Sequence, residues 1–282
     1  MSTATLENTA PPAPAGPRRG RRAGRQGRFL TVFTWLVIIW LLLPIAVMIL
    51  FSFNATKGRF NNTWQGFTFK WYGQLNAYPD LTGALINSLT IALLTAIIAG
   101  VLGTLIGLAL GRYRFRGQGV TNLVAFAAIS APEVVMGASL LSMFLSLNVP
   151  RGYLTILIAH VMFSVSFVTV TVRARVMTLD PALEEAARDL GAGPLATFRL
   201  VTLPMLVPAI MAGGLLSFAL SIDDYIITSF NSGSTITFPL WIWGSTRTGT
   251  PPQVNVMGTL IFVAGVLLAL GNVLWARRRA SR

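Results

Sequence analysis

Residues 180–204 read DPALEEAARDLGAGPLATFRLVTLP, a charged segment that follows one charge-free apolar run at 152–172 and leads into another at 200–222. A bilayer core about 30 Å thick takes roughly 20 apolar residues, and both runs reach that length. Three more charge-free runs do so, at 29–56, 81–111 and 248–276, and a further run at 120–147 is interrupted only by Glu133. Six helices are therefore expected, at about 29–53, 84–111, 120–147, 153–176, 204–229 and 254–276. The uncharged stretch after 225 holds Asn231, Gly233 and Pro239, which mark a helix end and a loop. Continuous rather than alternating apolar runs argue against a β-barrel. The fold class that follows is all-α, a polytopic membrane protein with six transmembrane helices.

Composition agrees. Of 282 residues, 54% are hydrophobic and only 11% charged, with a mean hydropathy of +0.66; soluble globular chains carry roughly 25% charged residues. This deficit excludes a soluble enzyme, a disordered chain and a nucleic-acid-coating protein, despite a net charge of +13. The chain has no cysteine, which removes disulfides, Cys–zinc sites and thiol catalysis.

The basic residues are divided unequally. Seventeen lie in the N-terminal tail, around 112–116, within 173–199 and after 276; only five, Lys57, Arg59, Lys70, Arg151 and Arg247, lie in the alternate loops. With an even number of spans, this bias puts both termini and the 173–203 loop in the cytoplasm. It accounts for the positive charge without a nucleic-acid partner. Trp35, Tyr113 and Trp275 then fall near the inner interface, and Trp64, Trp71, Tyr72, Trp241 and Trp243 near the outer one. Residues 1–28, rich in Pro, Ala, Gly and Arg, are expected to be a disordered cytoplasmic tail rather than a cleaved signal. Residues 29–276 form the transmembrane domain, and 277–282 are a basic cytoplasmic tail. Ala99, Gly103, Gly107 and Gly111 recur every four residues, a face for close helix packing.

Within the charged segment, Asp180 suits an N-cap and Pro181 the first helical position. Glu184 and Glu185 lie early, where the helix dipole favours negative charge, and Gly191 is a natural stop. Helices shorter than roughly 12–15 residues are marginal alone in water, so this one is expected to dock. Leu183, Ala187 and Leu190 share a face, with Ala186 beside it. From spacing alone, an amphipathic connector lying on the membrane surface stays open.

Glu185-Ala186-Ala187, then Gly191 after three residues, then Val201-x-Leu203-Pro204 after nine more, resembles the EAA motif of bacterial ABC importer permeases, EAA-x3-G-x9-I-x-LP. Val for Ile is the one departure. The resemblance implies the type I, MetI-like ABC importer permease fold over 29–276. It makes about 181–191 a coupling helix seated in a groove of the ATP-hydrolysing subunit. Glu184, Glu185, Ala186, Ala187, Leu190, Gly191, Leu203 and Pro204 are the coupling residues on that reading. The chain carries no G-x4-GK-[ST] motif, and its only lysines are Lys57 and Lys70. It is thus expected to be a transporter subunit rather than an enzyme, with the ATPase a separate polypeptide.

Phe51-Ser52-Phe53-Asn54, Phe69-Lys70-Trp71-Tyr72, Asn87-Ser88-Leu89, Ala131-Pro132-Glu133, Ser221-Ile222-Asp223-Asp224-Tyr225 and Phe238-Pro239-Leu240-Trp241-Ile242 are each similar to segments of spermidine/putrescine permeases of the second-subunit type. This resemblance implies a polyamine importer of the bacterial inner membrane, surrounded by membrane lipids. The chain would form half of the translocation path with a homologous second permease subunit. ABC ATPase subunits and an extracytoplasmic substrate-binding protein complete the set, the latter docking on the outer loops 54–83 and 231–253. No cofactor, metal or nucleic acid is implied. An importer for ferric ion, an opine or another amine stays open, as does a secondary transporter.

The expected spans contain three acids, Glu133, Asp223 and Asp224. A carboxylate in hydrocarbon costs roughly 2.5–3.5 kcal/mol on insertion scales, so such groups face a bundle interior or water. Glu133 is expected near the midplane of the third span, where Pro132 weakens the helix, and the Asp pair near the outer end of the fifth. Carboxylates at intervals beside aromatic walls would suit a chain of ammonium groups. The three acids either line a cation path or cap and hold helices. His160 is expected to be a packed polar residue bonding a neighbouring helix.

Overall fold

The computed structural model describes residues 23–58 and 60–280. In chain order the helices are α1 (Ala23–Ser52), α2 (Pro79–Arg112), α3 (Gln118–Ser130), α4 (Glu133–Ser146), α5 (Tyr153–Val176), α6 (Ala182–Asp189), α7 (Pro194–Thr197), α8 (Leu203–Ile222), α9 (Ile226–Asn231), α10 (Phe238–Ser245) and α11 (Pro252–Ala280). A π-helical turn, Phe198–Thr202, joins α7 to α8. Among the described residues the only strand-like pairing is one isolated bridge, Asn54 to Phe67. Five stretches there are long and apolar enough to cross a bilayer, and the bent α3–α4 pair makes a sixth if it crosses as one span.

The chain divides into two units between Met48 and Ile49. The first holds most of α1, whose apolar stretch Arg28–Ser52 has 25 residues. Because α1 begins at Ala23, residues 23–28 of the expected tail are helical, and 1–22 lie outside the described residues. At the other end α11 runs to Ala280, so most of the expected C-terminal tail is helical too, and only 281–282 lie outside.

In the second unit α2, α5 and α8 pack together around Ala99, Val168, Val172, Val176 and Leu206. The sequence of α2 explains why. A methyl added at Gly103 would sit 2.6 Å from Val168 Cβ, at Gly107 2.8 Å from the Thr169 carbonyl, and at Gly111 2.8 Å from Val176 Cγ1. The glycines therefore let α5 approach almost to backbone contact, where dispersion accumulates without any hydrophobic drive from lipid. On another face of α2, Leu93, Ile97, Val101 and Leu105 are exposed at every fourth position. An apolar stripe of that kind suits a hydrocarbon surround rather than water.

Two expected spans are interrupted. The third, expected as one helix over 120–147, is two helices meeting at 110°. Pro132 has no N–H to continue the ladder, and it holds Ala131 extended at φ −70°, ψ 135°. Glu133 therefore opens α4 instead of sitting mid-helix, and its carboxylate lies in the first turn, where the dipole favours it. The fifth, expected over 204–229, ends at Ile222 and restarts as α9. Asp224 causes the restart: its Oδ1 accepts from Ile227 N at 3.3 Å and its Oδ2 from Thr228 N at 2.8 Å. These are the bonds of a capping carboxylate, which replaces the carbonyls that a continuous helix would supply. The stretch after α9 was expected to be loop, yet it contains α10, with Pro239 in its first turn.

At the end of the unit away from α6, Leu81, Phe238, Val254 and Met257 form a second cluster. The loop after α1 is organised by Asn54, which is fully buried. Its Nδ2 donates to Asn61 Oδ1 and to the Thr63 carbonyl, both at 2.7 Å, and its Oδ1 accepts from Gln65 N at 2.6 Å. Trp71 Nε1 donates to its carbonyl at 2.7 Å. Phe53, Phe67, Phe69 and Tyr72 stack around this hub with ring centroids 5.1–6.3 Å apart.

Candidate functional site

Two groups of residues stand out. The first is α6 and its supports. Asp180 Oδ1 accepts from Ala182 N at 3.0 Å, closing the N-terminal end. At the other end Gly191 takes φ +87°, and Ala192 N donates to the Ala187 carbonyl at 3.0 Å. This bond returns to a carbonyl five residues back across a left-handed glycine, the geometry that terminates a helix cleanly. A side chain at Gly191 would be strained whatever the space around it.

Glu184 faces inward. Its Oε2 pairs with Arg112 Nη2 at 2.9 Å, and its Oε1 accepts from Thr202 Oγ1 at 3.0 Å. Glu185, Leu183, Ala186 and Leu190 face away, and Leu190 is 90% exposed. The two adjacent glutamates thus differ: one ties α6 to the end of α2 and to the π turn, the other is free of the body. Leu183 on α6, Leu190 at its C-terminal cap and Leu195 on α7 are all exposed, large apolar side chains on short elements of this loop. Leu203 is half-buried and Pro204 exposed, in the first turn of α8. Pro204 cannot donate a backbone bond, and Leu203 N reaches back to the Phe198 carbonyl, so the helix widens into the π turn just before the proline.

The second group is the acids. Asp224 is bound on all sides: besides the two backbone N–H groups, its Oδ2 accepts from Thr228 Oγ1 at 2.7 Å and lies 3.1 Å from His160 Nε2. His160, 3% exposed, also meets Thr228 Oγ1 at 2.9 Å through Nε2 and Ser221 Oγ at 2.7 Å through Nδ1. The imidazole therefore fastens α5 to both sides of the α8–α9 break. Asp224 has the geometry of a helix cap and brace.

Asp223 differs from its neighbour. It is exposed and lines a cavity of about 490 Å³ together with Tyr225, Phe238, Trp243 and Phe262. The Tyr225 and Trp243 rings lie 5.2 Å apart. Glu133 is exposed at the start of α4 and lies, like Asp224, within Coulombic range of Asp223. Tight packing brings α4 and α9 together: a methyl at Gly137 would lie 2.8 Å from Phe230 Cδ2. One face of this site is thus a carboxylate beside aromatic rings, an arrangement that favours a cation. Among the described residues no group of three or more acids and histidines could hold a metal ion.

Sequence reasoning missed Arg112, Thr202, Tyr225 and Trp243 as neighbours of these sites. Arg112 precedes Glu184 by 72 residues, and no local spacing links them. The Asp224-x3-Thr228 spacing was the one readable hint of a cap.

Comparison with known proteins agrees with this architecture. Residues 103–280 match the family model described as binding-protein-dependent transport system inner membrane component. The chain is 38% identical to the spermidine/putrescine transport system permease protein PotC of Haemophilus influenzae over 87% of its length and 95% of that protein. It is 39% identical to the putrescine transport system permease protein PotI of Escherichia coli, over 86% of this chain and 89% of that one. Among solved structures it resembles a bacterial ABC transporter involved in the import of the acidic polysaccharide alginate, with a TM-score of 0.63 at 18% identity over 93% of this chain and 99% of the other. It also resembles the MetNI methionine ABC transporter, with a TM-score of 0.54 at 15% identity over 69% of this chain and 95% of the other. The fold is therefore the ABC importer permease fold, and the chain is a multi-pass permease subunit rather than an enzyme. It belongs to the family of binding-protein-dependent transport system inner membrane components.

Proposed function

We propose that this permease carries polyamines such as putrescine or spermidine inward across the bacterial inner membrane. The observation that carries the reading is Asp223, exposed in a cavity beside Tyr225 and Trp243, in a chain 38% identical to a spermidine/putrescine permease. Ammonium groups spaced along a flexible chain gain from a carboxylate and from ring faces, each ring contact contributing about 0.5–1 kcal/mol where exposed and about 2 kcal/mol where desolvated. Glu133 lies within Coulombic range of Asp223 and offers a second anionic point for the same chain.

The rest of the machine follows from the two ends of the fold. ABC ATPase subunits seat on α6, whose outward leucines need cover. A homologous second permease subunit completes the path. An extracytoplasmic binding protein docks on the loops 54–83 and 231–253, which lie at the end away from α6. The arginine bias supports a cytoplasmic position for α6 and both termini. ATP then shifts the balance of inward- and outward-facing states because it binds them unequally.

The test is ATP-dependent uptake of labelled putrescine and spermidine into liposomes holding the complete transporter. Import of either amine is expected, with Asp223→Asn and Glu133→Gln importing less at equal complex content. Import of a ferric or anionic solute in place of amines overturns the substrate. Unchanged amine uptake by both variants removes the acids from the path.

A further inference from the structure

Three elements meet on one carboxylate. Glu184 of α6 binds Arg112 through one oxygen and Thr202 through the other, at 2.9 and 3.0 Å. Covalently, α6 is joined to α5 on one side and to α7 and α8 on the other. No covalent link runs to α2, whose last residue is Arg112. The ion pair supplies that missing connection. It acts at the end of a helix that cannot yield against its neighbour, since Gly107 and Gly111 sit almost in backbone contact with α5. Thr202 lies in the π turn, the one wide turn of the α7–α8 helix and the place where its register can change.

The helix α6 does not need this carboxylate to close its own ends. Asp180 caps the first turn and Gly191 the last. The pair is also largely buried, with side chains 22% and 15% exposed, a setting in which the cost of desolvation offsets much of the Coulombic gain. Its geometry fits transmission better than static support.

We propose that Glu184 is a positioning residue that carries displacement of α6 into α2 through Arg112 and into the π turn through Thr202. The inference rests on the proposed function only in that a separate ATPase moves α6. Removing the charge at 184 then leaves ATP hydrolysis running while import falls, because the motor still docks on the outward face but pulls on α2 less effectively.

The experiment uses the complete transporter in liposomes and measures import and ATP hydrolysis on the same preparation. Glu184→Gln is expected to lower solute imported per ATP hydrolysed by about tenfold, within the range that coupling mutations span. ATP hydrolysis and the amount of co-purified ATPase should stay near wild type. The exchange Glu184→Arg with Arg112→Glu is expected to restore part of the ratio, and Arg112→Lys to retain most of it. An unchanged ratio in Glu184→Gln overturns the inference. So does an equal loss of import and hydrolysis, or loss of the ATPase from the complex, since either makes the residue a support for docking. A wild-type complex that imports another solute at the expense of ATP overturns only the polyamine assignment and leaves this test standing.

Discussion

His160 Nε2 and Asp224 Oδ2 lie 3.1 Å apart, joining α5 to the break between α8 and α9. One carboxylate thereby ends a helix, starts another and holds a third. Removing it leaves two backbone N–H groups without their acceptor and the buried imidazole with only its Thr228 and Ser221 partners. Asp224→Ala is expected to destabilise the protein by about 1–3 kcal/mol, read as a lower thermal midpoint in detergent. Asp224→Asn keeps an oxygen acceptor and should fall between that variant and wild type. Equal midpoints for all three would remove the brace.

The glycine face of α2 predicts a contrast within one helix. Gly107→Ala places a methyl 2.8 Å from the Thr169 carbonyl, whereas a methyl at Gly100 meets nothing within 4 Å. Gly107→Ala is expected to cost about 1–3 kcal/mol by overpacking, and Gly100→Ala to be neutral or to gain up to about 1 kcal/mol of helix propensity. Thermal unfolding of the two variants in parallel checks the sign of each.

Trp243 walls the Asp223 cavity and lies against Tyr225, the rings tilted by 42° with centroids 5.2 Å apart. If ammonium groups pass over that ring, Trp243→Ala raises the half-saturating concentration for amine uptake by about three- to tenfold, the equivalent of a cation–π contact. Trp243→Phe should recover much of the loss. Concentration-dependent uptake by the reconstituted complex measures both, and an unaltered curve for Trp243→Ala takes the ring out of the path.

Gly191 at φ +87° predicts a backbone effect separate from any contact. Gly191→Ala is expected to cost α6 about 1 kcal/mol through the left-handed conformation alone, and Gly191→Asn less. Weaker retention of the ATPase on purification, graded in that order, is the expected result.

The absence of cysteine makes the orientation directly testable. Leu190→Cys lies on the exposed face of α6 and Trp64→Cys on the exposed loop after α1. A membrane-impermeant thiol reagent should label Trp64→Cys in intact cells and Leu190→Cys, in the chain expressed without its ATPase partner, only after permeabilisation. The reverse pattern would invert the topology.

Apolar run length, arginine distribution and the spacing from Asp180 to Pro204 determined what could be read along the chain: the helical class, the spans and the short helix between them. Each depends on residues close in sequence, where hydrophobicity, capping and glycine stereochemistry act locally. The glycine face of α2 was legible for the same reason, since its four-residue period is a property of one helix. Tertiary structure decided the rest. Whether Pro132 bends a span or breaks it by 110°, which of two adjacent aspartates turns inward, and that Glu184 finds Arg112 across 72 residues all depend on which helices become neighbours. Partner choice for a charge in a low-dielectric interior is set by distance in space, and a linear pattern carries no record of that distance.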